Sequence, residues 1–130
     1  MTRRLVEYED WVEQGRHAGW KPTVLAKLCG VSLRQLERVV RDQFGQSPGE
    51  KLRAVRMNLA REYILAGHSN KAVAIELVFA SEAHFCREFK RANRICPGEM
   101  RRLAMANVGL VFRSLNTDVA VRQQNVAFVQ

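Results

Sequence analysis

Apolar residues recur at helical spacing in two short segments near the start of the chain. The first segment begins at Pro22 and stops at Gly30, where a left-handed residue would end a helix. Its apolar positions are Val24, Leu25, Leu28 and Cys29. Ser32 caps a second segment that ends before Gly45. The positions of this segment expected to point inward are Leu33, Leu36, Val39 and Val40. The pattern predicts two helices joined by a tight turn, which is a helix-turn-helix layout.

A longer apolar pattern follows and predicts a linker helix over residues 48–66. Pro48 occupies its first turn and Gly67 ends it. Its inward stripe is predicted to contain Leu52, Val55, Leu59 and Tyr63, with Met57, Ala60 and Ile64 beside it. Nineteen residues at about 1.5 Å each make a rod of roughly 28 Å, comparable with the roughly 34 Å between successive major-groove faces on one side of a duplex.

The chain repeats itself at a spacing of 49 residues. Pro48-Gly49-Glu50 recurs as Pro97-Gly98-Glu99, Leu36 corresponds to Phe85, and Arg38 corresponds to Arg87. Ala26 corresponds to Ala74 at a spacing of 48, which implies one extra residue in the second copy. The repeat predicts two similar helix-turn-helix units within one chain.

The charge balance favours a polyanionic partner. The 130 residues carry 21 Lys and Arg against 13 Asp and Glu, a formal net charge of +8 with a pI near 10.1. The surplus lies in residues 15–102, which have a net charge of +9, whereas residues 1–14 have −2 and residues 103–130 have +1. Charge alone does not identify the partner as nucleic acid, because a soluble domain can be basic by chance.

Other function classes find little support in the sequence. No apolar run approaches the roughly 20 residues of a membrane span, and acidic residues precede any apolar signal-peptide core, so the cytoplasm is the expected location. The chain has three cysteines, Cys29, Cys86 and Cys96. Their odd number and the lack of a C-x-x-C spacing argue against a disulfide framework or a zinc site. No paired carboxylates, nucleophile and base set, or phosphate-binding glycine loop indicates an enzyme, and we expect no cofactor.

The outer face of the helix after Ser32 carries side chains suited to reading base edges. With its apolar stripe buried, helical geometry turns Arg34, Glu37, Arg38 and Arg41 outward, with Gln35 beside them. Arg can bind guanine in bidentate fashion, Gln can reach adenine, and Glu can accept from a cytosine amino group. A lone helix of this kind is more often a solvated charged face, but its place in a duplicated basic helix-turn-helix favours DNA recognition.

From about Trp11 to Arg102, the chain resembles the DNA-binding domain of the AraC/XylS family of bacterial transcription regulators. The matching motifs are Leu25-Ala26, Phe44-Gly45-Gln46-Ser47-Pro48, Arg56-Met57-x-x-Ala60, Val73-Ala74 and Phe79-x-Ser81-x-x-x-Phe85-x-Arg87-x-Phe89-Lys90. The resemblance implies an all-α fold of about seven helices, with the second helix of each motif in the major groove. It places the contacting residues at Arg34, Gln35, Glu37 and Arg38, then at Glu82, Ala83, Cys86 and Arg87.

The complete predicted DNA-binding set adds the two helix caps and two further cations to these positions. It consists of Ser32, Arg34, Gln35, Glu37, Arg38, Arg41, Ser81, Glu82, Ala83, Cys86, Arg87 and Lys90. Ala83 and Cys86 offer little beyond an apolar contact with thymine methyl groups. We therefore expect the first motif to carry most base discrimination and the second mainly to hold phosphate.

Three departures from the family pattern fall in the second unit. Val78 stands where glycine is usual, and a left-handed β-branched residue there would cost about 1–3 kcal/mol, so we expect a reshaped turn. Arg94 stands where glycine commonly follows the second reading helix, with Asn93 as an alternative left-handed cap. Ser-Pro has become Cys96-Pro97.

Several side chains have alternative interpretations. Cys86, if it faces the groove, could be a redox-sensitive thiol, and Cys96 near a helix start could have thiolate character. His84 beside the reading face could contact phosphate or could be structural. Trp11 and Trp20 are expected to pack the first unit rather than to stack bases.

The sequence therefore predicts a sequence-specific regulator of transcription that binds double-stranded DNA, and a single chain could insert both reading helices into adjacent major grooves. The resemblance implies activation rather than repression. We expect contact with RNA polymerase and a cytoplasmic, nucleoid-associated location. The predicted parts are a helix-turn-helix subdomain over 1–47, a linker helix over 48–67, a second subdomain over 68–102 and a tail of undetermined structure over 103–130. Two alternatives remain: a non-specific architectural DNA binder, and a transcription adaptor whose degenerate second motif no longer reads DNA.

Overall fold

The computed structural model describes residues 8–106. These residues form seven helices and no strand, which confirms the all-α prediction. The helices are α1 (Tyr8–His17), α2 (Pro22–Cys29), α3 (Leu33–Phe44), α4 (Pro48–Leu65), α5 (Asn70–Glu76), α6 (Glu82–Asn93) and α7 (Pro97–Ala106). None of the seven is both long enough and apolar enough to cross a membrane. Residues 103–106 of the predicted tail belong to α7, and residues 107–130 lie outside the described residues.

The described chain divides into two compact units, and the division falls within α4, between Arg56 and Met57. Unit 1 contains α1, α2, α3 and the first half of α4. Unit 2 contains the second half of α4 with α5, α6 and α7. Each unit therefore holds one helix-turn-helix pair, α2 with α3 and α5 with α6, as the repeat predicted. The long helix between the pairs is confirmed at Pro48–Leu65.

An aromatic cluster forms the core of unit 1. Trp11 and Trp20 are buried, as predicted, and the Trp11 ring meets Phe44 edge-on at a centroid distance of 5.8 Å. The ammonium group of Lys51 lies 4.5 Å from the centroid of the Phe44 ring, and burial lowers the pKa of this lysine. The Trp20 ring lies so close to Gly15 that a Cβ there would approach it to 2.5 Å. Only glycine fits at this position of α1.

The buried stripe of α3 is narrower than the sequence indicated. Leu36 and Val40 are buried and Leu33 is half-buried. The prediction that Val39 points inward is wrong, because 48% of this residue is exposed. Each helical residue turns the side-chain direction by about 100°, so Val39 lies well to one side of its buried neighbour Val40.

Unit 2 is held together by a row of phenylalanines. Phe85 and Phe89 are fully buried with ring centroids 5.6 Å apart, and Phe79 lies 5.1 Å from Phe85. From α4, Leu59, Ala60 and Ile64 are buried as predicted, whereas Met57 and Tyr63 are only half-buried.

The turns of the two helix-turn-helix pairs share the same backbone hydrogen bonds. In unit 1, Gly30 (φ 74°) donates to the Lys27 carbonyl, and Val31 donates to the Ala26 carbonyl at 3.0 Å. In unit 2, Val78 (φ 60°) donates to Ile75, and Phe79 donates to Ala74 at 2.9 Å. Both are Schellman-type helix ends.

The prediction of a reshaped second turn is therefore wrong, because Val78 adopts the left-handed conformation that Gly30 has in unit 1. The extra residue of the second copy lies after this turn. The left-handed residues are 48 positions apart, but the caps Ser32 and Ser81 are 49 apart, so Ala80 is the insertion.

Arg94 itself is the left-handed residue that ends α6, with φ 71°, and its N–H donates to the Lys90 carbonyl. The prediction that Asn93 could cap in its place is wrong, since Asn93 is the last helical residue. The Asn93 side chain instead donates to the Phe89 carbonyl at 3.0 Å and accepts from Arg61 of α4 at 3.0 Å. Arg61 also donates to Asn58. This side-chain network fixes the end of α6 to the second half of α4.

The two equivalent helices α4 and α7 begin differently. At α4, the Glu50 N–H donates to Ser47 Oγ at 3.1 Å, and the Ser47 N–H donates to Glu50 Oε1 at 2.9 Å, a reciprocal capping box. The hydrogen bond from the Ser47 N–H lowers the pKa of Glu50. At α7, Cys96 replaces the serine. The Glu99 carboxylate lies near Arg102, with 3.7 Å between Glu99 Oε1 and Arg102 Nη2. The Cys-Pro departure therefore removes a side-chain cap while the helix persists.

Candidate nucleic-acid interface

The predicted reading helix of unit 1, α3, begins with a full capping box. The Gln35 N–H donates to Ser32 Oγ at 3.1 Å, and the Ser32 N–H donates to Gln35 Oε1 at 2.9 Å. Both predicted site residues are thus engaged in starting the helix. The Gln35 oxygen accepts one hydrogen bond in this box, and the amide NH₂ remains available as a donor.

Four charged residues form the outer face of α3, which we call the reading face. Arg34, Glu37, Arg38 and Arg41 are all exposed, as the helical pattern predicted. Leu36 and Val40 lie buried on the other side of the same helix. The apolar side therefore fixes the rotation of α3 about its axis and presents three guanidinium groups and one carboxylate to solvent.

The corresponding helix of unit 2, α6, has the same organisation with weaker base-reading chemistry at its start. Ser81 caps it by accepting from the His84 N–H at 3.0 Å. Glu82, Ala83, Arg87 and Lys90 are exposed, while Phe85 and Phe89 are buried. In place of the arginine at the start of the reading face, unit 2 has the small apolar Ala83.

Comparison with known proteins identifies this arrangement. A family model described as a helix-turn-helix domain matches residues 25–103, which is more than half of the chain. The crystal structure of a Chromobacterium violaceum transcriptional regulator, described by its AraC-type DNA-binding domain, superposes with a TM-score of 0.59 at 26% identity, covering 71% of this chain and 86% of that one. The chain belongs to the AraC-type helix-turn-helix family.

Two curated relatives agree with this assignment. An uncharacterized HTH-type transcriptional regulator of Haemophilus influenzae is 32% identical over 84 residues, and the HTH-type transcriptional regulator GlxA of Rhizobium meliloti is 36% identical over 81 residues. These matches cover 64% and 62% of this chain, but only 28% and 25% of the relatives. The AraC-type chain thus matches about a quarter of the length of each.

The second structure supports the fold alone. It is the C-terminal domain of the two-component response regulator yesN from Fusobacterium nucleatum, with a TM-score of 0.64 at 22% identity. The match covers 72% of this chain and 93% of that domain. The fold of the AraC-type chain therefore recurs where the sequences have diverged.

Cys86 is half-buried in this AraC-type chain rather than fully turned to the outer face. Its Sγ accepts a hydrogen bond from Asn70 Nδ2 of α5 at 3.6 Å. Burial raises the pKa of the Cys86 thiol, and the nearby Glu82 raises it further. The neutral thiol is favoured, which argues against the redox-sensitive interpretation, since the thiolate is the reactive form. Cys96 is exposed and Cys29 is buried in the core of unit 1.

Asn70, which the sequence did not single out, forms hydrogen bonds with side chains of α6 and α7. Its Oδ1 accepts from Arg101 of α7 at 3.0 Å, and the same guanidinium donates to the His68 carbonyl at 2.8 Å. Asn70 therefore connects α5 to α6 and α7 at the back of the second motif. No signal marked it, because its partners lie 16 and 31 residues away.

Within 8–106, no group of three His, Cys, Asp or Glu side chains is placed to hold a metal ion. His84 packs edge-on against Phe79 at 5.7 Å, as a structural histidine would.

Proposed function

We propose that this chain is a sequence-specific double-stranded DNA-binding regulator of transcription that reads bases chiefly through α3. The observation that carries the proposal is the reading face, because three arginines and a glutamate stand exposed on a helix whose opposite side is buried. Membership of the AraC-type family and a net charge of +8 agree with this function. Such a protein is a DNA-binding regulator and belongs to no enzyme class.

The chemistry of the reading face assigns a role to each of its members. Arg34 and Arg38 can each bind the O6 and N7 acceptors of guanine, and Glu37 can accept from the amino group of cytosine. Gln35 can offer its amide NH₂ as a donor to a base edge, while its oxygen accepts a hydrogen bond in the capping box. We assign a phosphate contact to Arg41, which is exposed near the C-terminal end of α3.

The second motif binds mainly through charge in this proposal. Arg87 and Lys90 hold phosphate, Ala83 contacts a thymine methyl group, and Glu82 accepts from cytosine. Ser81 shapes the start of α6 through its cap. The half-buried Cys86 contributes at most an apolar contact.

A single chain is proposed to place both motifs in adjacent major grooves. The 18 residues of α4 amount to about 27 Å of helix at 1.5 Å per residue, against roughly 34 Å between successive major-groove faces on one side of a duplex. The functional parts in this proposal are the motifs over 1–47 and 68–102 with the linker over 48–67. A lone helix-turn-helix usually needs a dimer to make two such contacts.

The wider role follows the same reasoning and rests on the family. We infer activation of transcription through contact with RNA polymerase, in the cytoplasm at the nucleoid. The relatives named as transcriptional regulators are about four times the matched length, so any additional domain of theirs lies outside this comparison.

The first experiment measures the loss of base discrimination on truncation of Arg38. Arg38→Ala should cost about 1–3 kcal/mol on the selected site and relax the preference at one base pair. Arg102→Ala, which removes a charge from α7, is the control and should leave every base preference unchanged.

Each alternative function predicts a different result. An architectural binder would lose affinity uniformly on all sequences in Arg38→Ala. An adaptor with a silent second motif would keep full DNA affinity in the double variant Arg87→Ala, Lys90→Ala. Either outcome would overturn the corresponding part of the proposal.

A further inference from the structure

Four cations lie along one side of α6 and its end. Arg87, Lys90 and Arg91 belong to the helix, Arg94 follows it directly, and all four are exposed. Lys90 and Arg91 lie three and four positions after Arg87, so these three share one side of α6, opposite the buried pair Phe85 and Phe89, and Arg94 extends the series at the helix end. We call these four residues the basic stripe.

The first unit has no equivalent of the complete stripe. At the spacing of 49, the corresponding residues of unit 1 are Arg38, Arg41, Asp42 and Gly45. Unit 2 therefore has arginines where unit 1 has an acidic residue and a glycine. The positive charge of α3 begins at its first turn with Arg34, whereas that of α6 is concentrated in its C-terminal half.

Arg94 adopts a conformation that favours glycine. Its φ of 71° matches the 70° of Gly45 at the same point of unit 1, so the fold requires a left-handed residue there and glycine meets this requirement without strain. Because Arg94 is exposed, no burial of its side chain offsets the strain. Strained backbone positions cluster at functional sites, so the exposed guanidinium group of Arg94 is a candidate for binding a ligand.

The position of the stripe along α6 indicates a phosphate partner. A recognition helix brings its N-terminal residues to the base edges, and the C-terminal end of such a helix can contact the DNA backbone. Favourable interaction with the helix dipole is already provided by Lys90 and Arg91 in the last turn. Arg91 also pairs with Glu88 at 3.1 Å while 80% of its side chain stays exposed.

We propose that the basic stripe is a phosphate-binding surface for the DNA backbone, and that Arg94 supplies a phosphate contact that unit 1 lacks. The inference rests on the proposed function and extends it. Unit 2 then contributes affinity that is independent of sequence, while unit 1 supplies base discrimination. Each phosphate contact releases condensed counterions, so the stripe also sets how steeply binding depends on salt.

The test compares salt dependence in variants that keep the fold. Arg94→Gly supplies the residue that the left-handed position favours, so the variant should fold, and thermal unfolding verifies this. Binding is measured between 50 and 300 mM KCl on the selected site and on a random-sequence duplex. We expect the slope of log K against log salt to become shallower by about one unit, with an equal loss of affinity on both duplexes.

Two further variants separate a phosphate contact from a change in net charge. Arg94→Lys should restore the slope, because lysine also binds phosphate as a point charge. Arg102→Ala removes the same charge from α7 and should leave the slope at the wild-type value.

The stripe proposal is overturned if Arg94→Gly retains the wild-type slope, or if Arg102→Ala changes the slope as much. In both cases the wild-type protein still discriminates between the duplexes, so the proposed function stands. If the wild-type protein itself shows no preference for any duplex, the proposed function fails instead.

Discussion

Val78 shows how a single backbone conformation can be required by a fold against the preference of its side chain. Its φ is 60°, and the flanking Ile75 and Ala74 carbonyls accept the same bonds as their counterparts in unit 1. β-branched residues rarely take this conformation, which costs about 1–3 kcal/mol. The second motif is therefore less stable than its hydrogen bonds alone would make it.

Replacing this valine by glycine should stabilise unit 2. Val78→Gly relieves the left-handed strain, and after the entropic cost of glycine we expect a net gain of about 1 kcal/mol, or roughly 4–8 °C in the unfolding midpoint. Circular dichroism during thermal unfolding provides the measurement.

Ile75→Gly is the matched control, because Ile75 is an exposed apolar residue two positions inside the same helix end. Glycine within a helix should lower stability by about 0.5–1 kcal/mol. A lower midpoint in Val78→Gly than in the wild type would show that the valine side chain stabilises the turn through its contacts.

At the scale of elements, equivalent helices of the two units differ most at their caps. Ser47 and Glu50 form a reciprocal box at α4, whereas Cys96 leaves α7 without the serine hydroxyl although Glu99 stands at the right spacing. The start of α7 thus differs from that of α4 in having the Cys96 sulfur where α4 has the Ser47 hydroxyl oxygen.

Cys96→Ser should complete the capping box and stabilise the protein by about 0.5–1 kcal/mol at neutral pH. At α4 the capping box lowers the pKa of Glu50, through the Ser47 backbone N–H first and the Ser47 hydroxyl second. A lowered carboxylate pKa adds stability above its unfolded value and loses it as the pH falls through the folded value. The gain should therefore shrink in acid.

The comparison uses urea unfolding at pH 7 and near pH 3. Ser47→Cys is the reciprocal control and should destabilise α4 at pH 7. A gain in Cys96→Ser that stays constant across this pH range would contradict a new carboxylate bond at Glu99.

The helices themselves were largely predictable from the sequence, because local signals specify them. Gly30, Gly45 and Gly67 end three helices in the left-handed conformation, as the pattern indicated. The errors arose where the backbone conformation goes against the preference of the side chain. Val78 is left-handed although it is β-branched, because its N–H takes part in the hydrogen bonds that end α5. Asn93 stays helical, and its side chain contacts Arg61 and the Phe89 carbonyl.

The candidate site was predictable in its outline for a similar reason. Exposure of the reading face follows from the apolar periodicity of α3, but the engagement of the Gln35 oxygen depends on the geometry of the first turn. Periodicity was less accurate at Cys86, which Asn70 of another helix contacts. Arg94 went unassigned because its equivalent in the first unit is a glycine.

At the scale of the whole molecule, the two units share one architecture and differ in chemistry. Unit 1 presents mixed charge along the full length of α3, and unit 2 presents cations along the later half of α6. In the proposed function, one motif supplies base discrimination and the other supplies sequence-independent anchoring. Its affinity should therefore be strongly salt-dependent, while its base preferences come mainly from one half of the site.

Selection of bound sequences from a random duplex library, using the purified full chain, tests the central claim most directly. The account predicts an enriched motif of two boxes with centres about one helical turn apart, bound by one protein molecule, with stronger base preferences in one box. Arg38→Ala should weaken the preference at one position of that stronger box. A library that shows no enrichment, or a single box bound by one chain, would contradict the account.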